Sequence, residues 1–303
     1  MSATVTYPTA QRPTRTRFVD SGGVRLAVYE WGDPHRPAVL ACHGGMDFAA
    51  TWDLIAPRLV DAGWRVVAWD QRGHGDSQRT ALYSWEADIR DAVAVLDDLG
   101  PTPLPVIGHS KGGSMMMQLA EALPHRVSHL VNLDGLPSRR PQPDVTDHDR
   151  TRLLTADIAK WLDFRRTLAG LERKPGSLDE LARRRQVMNP RLPLDWLFYL
   201  ASIGATQNED GWRWKVDPTF RPGGFGPWRP EWSMLRLAGL TMPFLGLLGL
   251  EVEMMSWGTE AADVIPFLPL GARFETLEDT GHFVHVERPD EVAGLIIELI
   301  GHR

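Results

Sequence analysis

The sequence predicts an α/β protein: a mostly parallel, twisted sheet flanked by helices and interrupted by an inserted, mainly helical segment. Three observations predict it. Short runs that are apolar at every position, such as PAVLAC at 37–42 and RVVAW at 65–69, suit strands covered on both faces. Amphipathic helical stretches alternate with these runs, as a parallel sheet with crossover helices requires. From residue 136 to about 234 the apolar runs stop, and they resume afterwards.

Each element follows from its pattern. Residues 1–15 mix Thr, Ser, Pro and Arg without periodicity and read as a flexible arm. Thr16–Val19 and Val24–Glu30 flank Gly22-Gly23 and read as a hairpin. The run at 37–42 is a strand ending in His43-Gly44-Gly45, Trp52–Ala62 reads as a helix, and 65–69 as the next strand. Trp85–Leu99 carries Ile89, Val93 and Leu96 on one helical stripe. Pro103–Gly108 is a strand, Lys111–Leu123 a helix stopped by Pro124, and Val127–Leu133 a strand ending at Asp134. Pro243–Leu248, Arg273–Leu277 and Glu291–Ile300 complete a strand–strand–helix return. The expected division is therefore a core of 1–135 and 235–303 with an insertion at 136–234.

Composition excludes several classes. The 303 residues, 43% hydrophobic and 24% charged, suffice for a large core. A net charge of −6 gives no electrostatic case for nucleic acid. The single cysteine, Cys42, permits neither an internal disulfide nor a cysteine zinc cage. The N-terminus lacks the apolar stretch of a secretory signal, and Leu237–Leu250 is too short to span a bilayer. The expectation is a soluble, cytoplasmic monomer or homodimer that acts on a small molecule, with no membrane partner.

The residues that carry chemistry start with Gly108-His109-Ser110-Lys111-Gly112, a G-x-S-x-G between a strand and a helix. A serine on so sharp a turn needs glycine two residues either side, because a Cβ there would clash. The turn lifts the Ser110 hydroxyl above the carboxyl edge of the sheet. It also leaves the Lys111 backbone N–H at a helix N-terminus, free to bind an oxyanion. The backbone of His43-Gly44-Gly45 offers a second donor, the Gly45 N–H. A serine hydroxyl needs a base, and His282 in Asp279-Thr280-Gly281-His282 sits just past the last strand. His109 and His285 are weaker candidates. His282 and His285 have no third ligand in register, so no metal is expected.

Together, ACHGG at 41–45, DQRGHGDS at 70–77, GHSKGG at 108–113, LVNLDG at 130–135 and DTGHFVHVERPDEV at 279–292 resemble the α/β-hydrolase superfamily, in its cap-bearing branch of esterases and lactonases. The resemblance implies an acyl-enzyme mechanism without metal or organic cofactor. It also implies a third triad member, and here the sequence departs from the usual pattern. The usual acid position after PFLGLLG is occupied by Val252, flanked by Glu251 and Glu253. Some relatives place the acid one core strand earlier, where this chain has Asp134. Asp134 is preferred, with Glu251 and Glu253 as alternatives.

The remaining motifs have plainer readings. In DQRGHGDS, Arg72 and Asp76 fix a turn. Lys111 opposes the helix dipole, so it is either paired with a carboxylate or a charge that steers an anionic substrate. Met115-Met116-Met117 pack the helix, with Met115 reaching the pocket. Six of the twelve Trp fall between 161 and 232. Trp161 and Trp196 pack the insertion, while some of Trp212, Trp214, Trp228 and Trp232 are expected to line an apolar cleft above Ser110. The function this predicts is hydrolysis of an ester, thioester or lactone with an apolar or aromatic part. A C–C hydrolase using the same triad and a slow or non-catalytic receptor remain alternatives. Epoxide hydrolysis and dehalogenation are disfavoured, because their alkyl-enzyme intermediates need a carboxylate where Ser110 stands.

Overall fold

A computed structural model describes residues 5–136, 147–168, 170–220, 236–256 and 258–303. An eight-stranded sheet runs in the order β1-β2-β4-β3-β5-β6-β9-β10. The strands are β1 (Arg15–Asp20), β2 (Arg25–Trp31), β3 (Ala38–Cys42), β4 (Arg65–Trp69), β5 (Leu104–His109), β6 (Val127–Leu133), β9 (Phe244–Gly249) and β10 (Arg273–Leu277). β1 and β2 pair antiparallel, β2 joins β4 antiparallel, and every other neighbouring pair is parallel.

The all-apolar runs are strands packed on both faces. Leu40 and Cys42 of β3 point into one core with Val67, Val106 and Leu130. Helices α2 (Trp85–Asp98) and α3 (Lys111–Ala122) cover that side. Val39 and Ala41 point the other way, with Val66, Ile107 and Leu245, against α1 (Ala56–Asp61) and the C-terminal helix (Pro289–Ile300). Alternation along each strand therefore divides one apolar run between two cores. The N-terminus of α2 is capped by Ser84, whose side chain accepts from the Ala87 N–H.

The helix expected at 52–62 is two pieces, a 3₁₀ turn at Ala49–Asp53 and then α1. Pro57 has no N–H to continue the ladder, but it fits the first turn of a new helix. Between β6 and β9 the described residues form α4 (Asp147–Thr167), α5 (Leu178–Met188), α6 (Leu194–Gly204) and a small hairpin, β7 (Ala205–Asn208) with β8 (Gly211–Trp214). The hairpin was not expected. Its strands are short and largely uncovered, so they lack the apolar runs that mark the main sheet. Residues 5–14 also differ from the flexible arm expected there. Val5, Tyr7 and Ala10 pack against the α6 cluster, and the Tyr7 ring meets that of Trp196 edge-on at 5.0 Å.

Connections place the chemistry. From β3 the chain crosses to β4 on one side, and from β4 it crosses back to β5 on the other. The order of winding reverses between β3 and β5, and ligands of open α/β sheets bind at the carboxyl ends of strands at such a reversal. β3 ends there in His43-Gly44-Gly45 and β5 in Ser110.

One buried carboxylate ties the arm, the 3₁₀ turn and α6 together. Asp53 accepts from Tyr199 Oη at 2.7 Å and from Trp31 Nε1 at 3.2 Å, while its carbonyl accepts from the Gln11 N–H at 2.9 Å. Burial pushes its carboxyl up to about 7 despite these donors. The folded chain then holds this proton over a range where the unfolded chain, with a pKa of ~3.9, has released it. Its contribution to stability therefore falls as pH rises from about 4 through 7 and is level above that. Relative to Asp53→Asn, the wild-type free energy of unfolding should drop by about 2–3 kcal/mol between roughly pH 5 and pH 8 in urea titrations. A pH-independent difference would contradict this.

Candidate active site

Ser110 occupies the turn between β5 and α3 with φ 52° and ψ −122°, a left-handed backbone that L-residues rarely adopt. The glycines two residues away are there for space. A Cβ at Gly108 would lie 2.3 Å from the Gly112 carbonyl oxygen, and one at Gly112 would lie 2.3 Å from that of Cys42. The turn is thus pressed against the end of β3.

Three side chains converge over it. His282, in the loop after β10, has Nε2 2.9 Å from Ser110 Oγ and Nδ1 2.5 Å from Asp134 Oδ2. Asp134 follows β6 directly and also has a positive φ, 48°. Its N–H donates to the Leu247 carbonyl at 2.8 Å, and its Oδ1 accepts from the Gly249 N–H at 3.1 Å. The carboxylate can only accept, so Nδ1 of His282 carries the proton and Nε2 presents its lone pair to the serine hydroxyl. All three residues are at most 8% exposed.

The two glutamates take other places. Glu253 is buried, and its Oε2 accepts from the His282 backbone N–H at 2.8 Å, so it braces the loop rather than the imidazole. Glu251 is exposed, and its backbone N–H donates to the Thr280 carbonyl. Neither is hydrogen-bonded to the His282 ring.

The neighbouring histidines are structural. His109 bonds the His282 carbonyl through Nε2 at 2.9 Å, and His285 Nε2 meets Thr51 Oγ1 at 2.9 Å. Burial pushes the pKa of His109 down, and that of His285 down to about 3, so both rings are neutral near pH 7. His43 donates from Nδ1 to the Gly44 carbonyl at 2.7 Å and accepts at Nε2 from the Gln71 N–H at 2.9 Å. Burial lowers it to about 4. This neutral ring fixes the loop carrying Gly44 and Gly45 against the serine turn. A Cβ at Gly44 would sit 3.1 Å from Ser110 Cβ, and one at Gly45 3.8 Å from Lys111 Cδ. Gly44 and Gly45 thus lie against the turn formed by Ser110 and Lys111.

The Lys111 side chain points away from the cleft. Its Nζ lies 2.6 Å from Asp88 Oδ2 and donates to Gln71 Oε1 at 2.6 Å, in a buried position. Of the two readings, the paired lysine is the one observed. Arg72 makes a two-pronged pair with Asp91 at 2.7 Å beside it, and the Asp76 N–H donates to Asp70 Oδ2 at 2.8 Å, closing the DQRGHGDS turn.

A cavity of about 280 Å³ opens beside the serine turn, with Gly45, Met46 and Phe283 in its wall. Trp214 lines it. Trp212 does not; it packs half-buried against the cluster of Leu181, Ala201 and Ala205. Met115 is a correction: it is fully buried in the core beneath the sheet and belongs to packing, not to the cleft. Trp228 and Trp232 lie outside the described residues. Sequence reasoning missed Arg173, Arg185 and Asn189, which also line the cavity. Only the run Arg183-Arg184-Arg185 was visible, as part of a helix. Among the described residues no group of three His, Cys, Asp or Glu side chains converges as a metal site would require.

With this geometry, comparison with known proteins is informative. A model of the α/β-hydrolase fold family matches residues 37–289. The chain belongs to that family. It is a hydrolase, and its relatives within the family differ in chemistry. The chain is 30% identical to epoxide hydrolase A of Mycobacterium tuberculosis, over 94% of this chain and 96% of that one. It is 35% identical to lipase LipV of the same organism, over 37% of this chain and 42% of the relative. The thioesterase domain from the curacin biosynthetic pathway shares the fold with a TM-score of 0.77 at 22% identity, covering 93% of this chain and 99% of that domain. No helix among the described residues is long and apolar enough to cross a membrane.

The buried Lys111–Asp88 pair yields a stability prediction. Removing one partner leaves a buried, unpaired charge, so Lys111→Met should cost about 3–5 kcal/mol of unfolding free energy. Replacing both, as Lys111→Met with Asp88→Leu, should recover most of that loss in the same denaturant titration. A loss under about 1 kcal/mol for the single variant would show that the pair is worth no more than an exposed one.

Proposed function

We propose that the protein is a serine hydrolase that cleaves a carboxylic ester, thioester or lactone through an acyl-enzyme. The observation that carries this reading is the hydrogen-bonded chain Ser110–His282–Asp134 at the reversal point of the sheet. Ser110 Oγ attacks the carbonyl carbon while His282 Nε2 takes its proton. The N–H groups of Gly45 and Lys111 receive the developing oxyanion. Asp134 holds the imidazole in the required tautomer and stabilises its protonated form. His282 then gives the proton to the leaving group, and a water activated by the same nitrogen releases the acid.

The insertion at 136–234 acts in this reading as a cap on the core. Trp196, Leu197 and Leu200 of α6 pack against Phe48, Leu54 and Phe283 beside the catalytic loops. Trp214 supplies an apolar wall for the acyl or aromatic part. The protein would work without metal or organic cofactor. The hydrogen bond between Asp134 and His282 supports turnover over the receptor alternative.

Likeness to an epoxide hydrolase over nearly the whole chain favours a second reading, and chemistry weighs against it. Opening an epoxide by the alkyl-enzyme route leaves an ester only when the nucleophile is a carboxylate. Ser110 would leave an ether, which has no carbonyl for water to attack.

The test is steady-state hydrolysis of p-nitrophenyl butyrate, with styrene oxide as the competing substrate. Ser110→Ala should abolish ester turnover apart from a small residual. Asp134→Asn should lower kcat by on the order of 10⁴. Glu253→Gln keeps an oxygen acceptor for the His282 N–H and should stay within about tenfold of wild type. Serine-independent ester turnover, or epoxide opening that survives Ser110→Ala, would sink the proposal.

A further inference from the structure

The cavity beside Ser110 is apolar over much of its wall, with Met46, Met188, Trp214, Val216, Met255 and Phe283. Three arginines nevertheless line it, Arg173, Arg184 and Arg185. Arg185 is accounted for. It donates to Asp47 Oδ1 at 3.0 Å and to the Met46 carbonyl at 3.3 Å, and lies over the Trp214 ring at 5.5 Å. Arg173 and Arg184 are different. Arg173 donates from Nε to the Val216 carbonyl and from Nη2 to the Asp217 carbonyl, both at 3.0 Å. Arg184 donates to the carbonyls of Lys174 at 3.1 Å and Pro175 at 3.0 Å. Carbonyls orient a guanidinium without neutralising it.

Among the described residues, neither Arg173 nor Arg184 has a carboxylate within ion-pair distance. The Asp217 carboxylate attracts Arg173 from beyond ion-pair distance, and its own hydrogen bonds come from Tyr83 Oη and Thr219. Burial also pushes the pKa of Arg173 down, as expected of a charge drawn from water without full compensation. A second observation is independent of the charges. Asn189 lines the same cavity, is 4% exposed, and its Nδ2 donor has no hydrogen-bond partner among the described residues. Buried donors are normally satisfied, so an unmatched one on the same wall as two arginines held only by carbonyls is a second departure from the usual pairing of buried polar groups.

We propose that this cavity binds a carboxylate carried by the substrate. The hydrolase reading above is thereby narrowed to esters, thioesters or lactones bearing a free acid. Arg173 and Arg184 supply the countercharge and Asn189 a neutral donor. The methionines, Trp214 and Phe283 house the apolar spacer between that acid and the scissile carbonyl. Gly45 and Phe283, each next to a catalytic group, join the cavity to the reacting centre. The proposal rests on the serine-hydrolase reading for its chemistry but not for its binding.

Matched substrates test it. Mono-p-nitrophenyl adipate is compared with its methyl ester, where the acid lies on the acyl side and too far along the chain to assist its own hydrolysis. 3-Acetoxybenzoate is compared with its methyl ester, where the acid lies on the leaving group. In at least one pair, kcat/KM for the acid should exceed that for the neutral partner by about tenfold or more. Arg173→Gln and Arg184→Gln should each cut that ratio by about tenfold, chiefly through KM. The ratio cancels any loss of folded enzyme. Calorimetric titration of monomethyl adipate into Ser110→Ala reads binding without turnover, and Arg173→Gln in that background should abolish it. Ratios near one in both pairs, or unaltered by the arginine variants, overturn the carboxylate site. No turnover of any ester together with arginine-dependent binding would instead overturn the catalytic reading and leave the site standing.

Discussion

The close approach of the β5–α3 turn to the end of β3 is the constraint on which the rest of the site depends. Gly112 passes so near the Cys42 and His43 carbonyls that no side chain fits, and Ser110 is left in a backbone conformation costing on the order of 1–3 kcal/mol. That strain is sustained because the turn is held from several sides. The Ser110 N–H donates to the Leu133 carbonyl, and Ser114 Oγ donates to the Gly135 carbonyl. The nucleophile, the neighbouring loop and the acid at the end of β6 are thus one packed unit rather than three separate loops.

Beneath this unit lies a buried polar layer. Gln71 links its parts: its N–H donates to His43, its side-chain amide donates to the His43 carbonyl, and its Oε1 accepts from Lys111. Lys111 continues to Asp88, and Arg72 to Asp91 on the same helix, α2. Two cations and two carboxylates are matched there with little exposure. Such a network offers modest net stability, because desolvation offsets much of the attraction. It does fix the geometry of the loop that presents Gly45.

Much of this was legible in the sequence, for identifiable reasons. The central strands are covered on both faces, so their apolar runs stand out, and RVVAW coincides with β4. Ser110 and His282 were named from local motifs and Asp134, over Glu251 and Glu253, from the family resemblance, and the structure brings the three within hydrogen-bond distance. What escaped lacks a local signature. The β7–β8 hairpin is too uncovered to show an apolar run. The N-terminal residues look unordered by composition, yet Tyr7 docks on Trp196, a contact that sequence separation hides. Met115 faces the core because helix phase is set by what α3 packs against. Arg173 and Arg184 share a wall only because the chain turns back between them, and Asn189 joins them at the end of α5.

In the proposed mechanism, the position of Asp134 at the end of β6 changes what the segment after β9 is for. Where that segment holds the acid, its conformation is bound to the proton relay and has little freedom to vary. Here Asp134 belongs to the central strands, and the stretch 250–256 supplies instead a brace, Glu253, and a cavity wall residue, Met255. Val252 and Met254 in the same stretch are exposed to solvent. On that reading, reactivity and selectivity are housed on different parts of the chain. A lineage, or an engineer, could rewrite the wall at Met255 and leave the machinery for bond cleavage undisturbed.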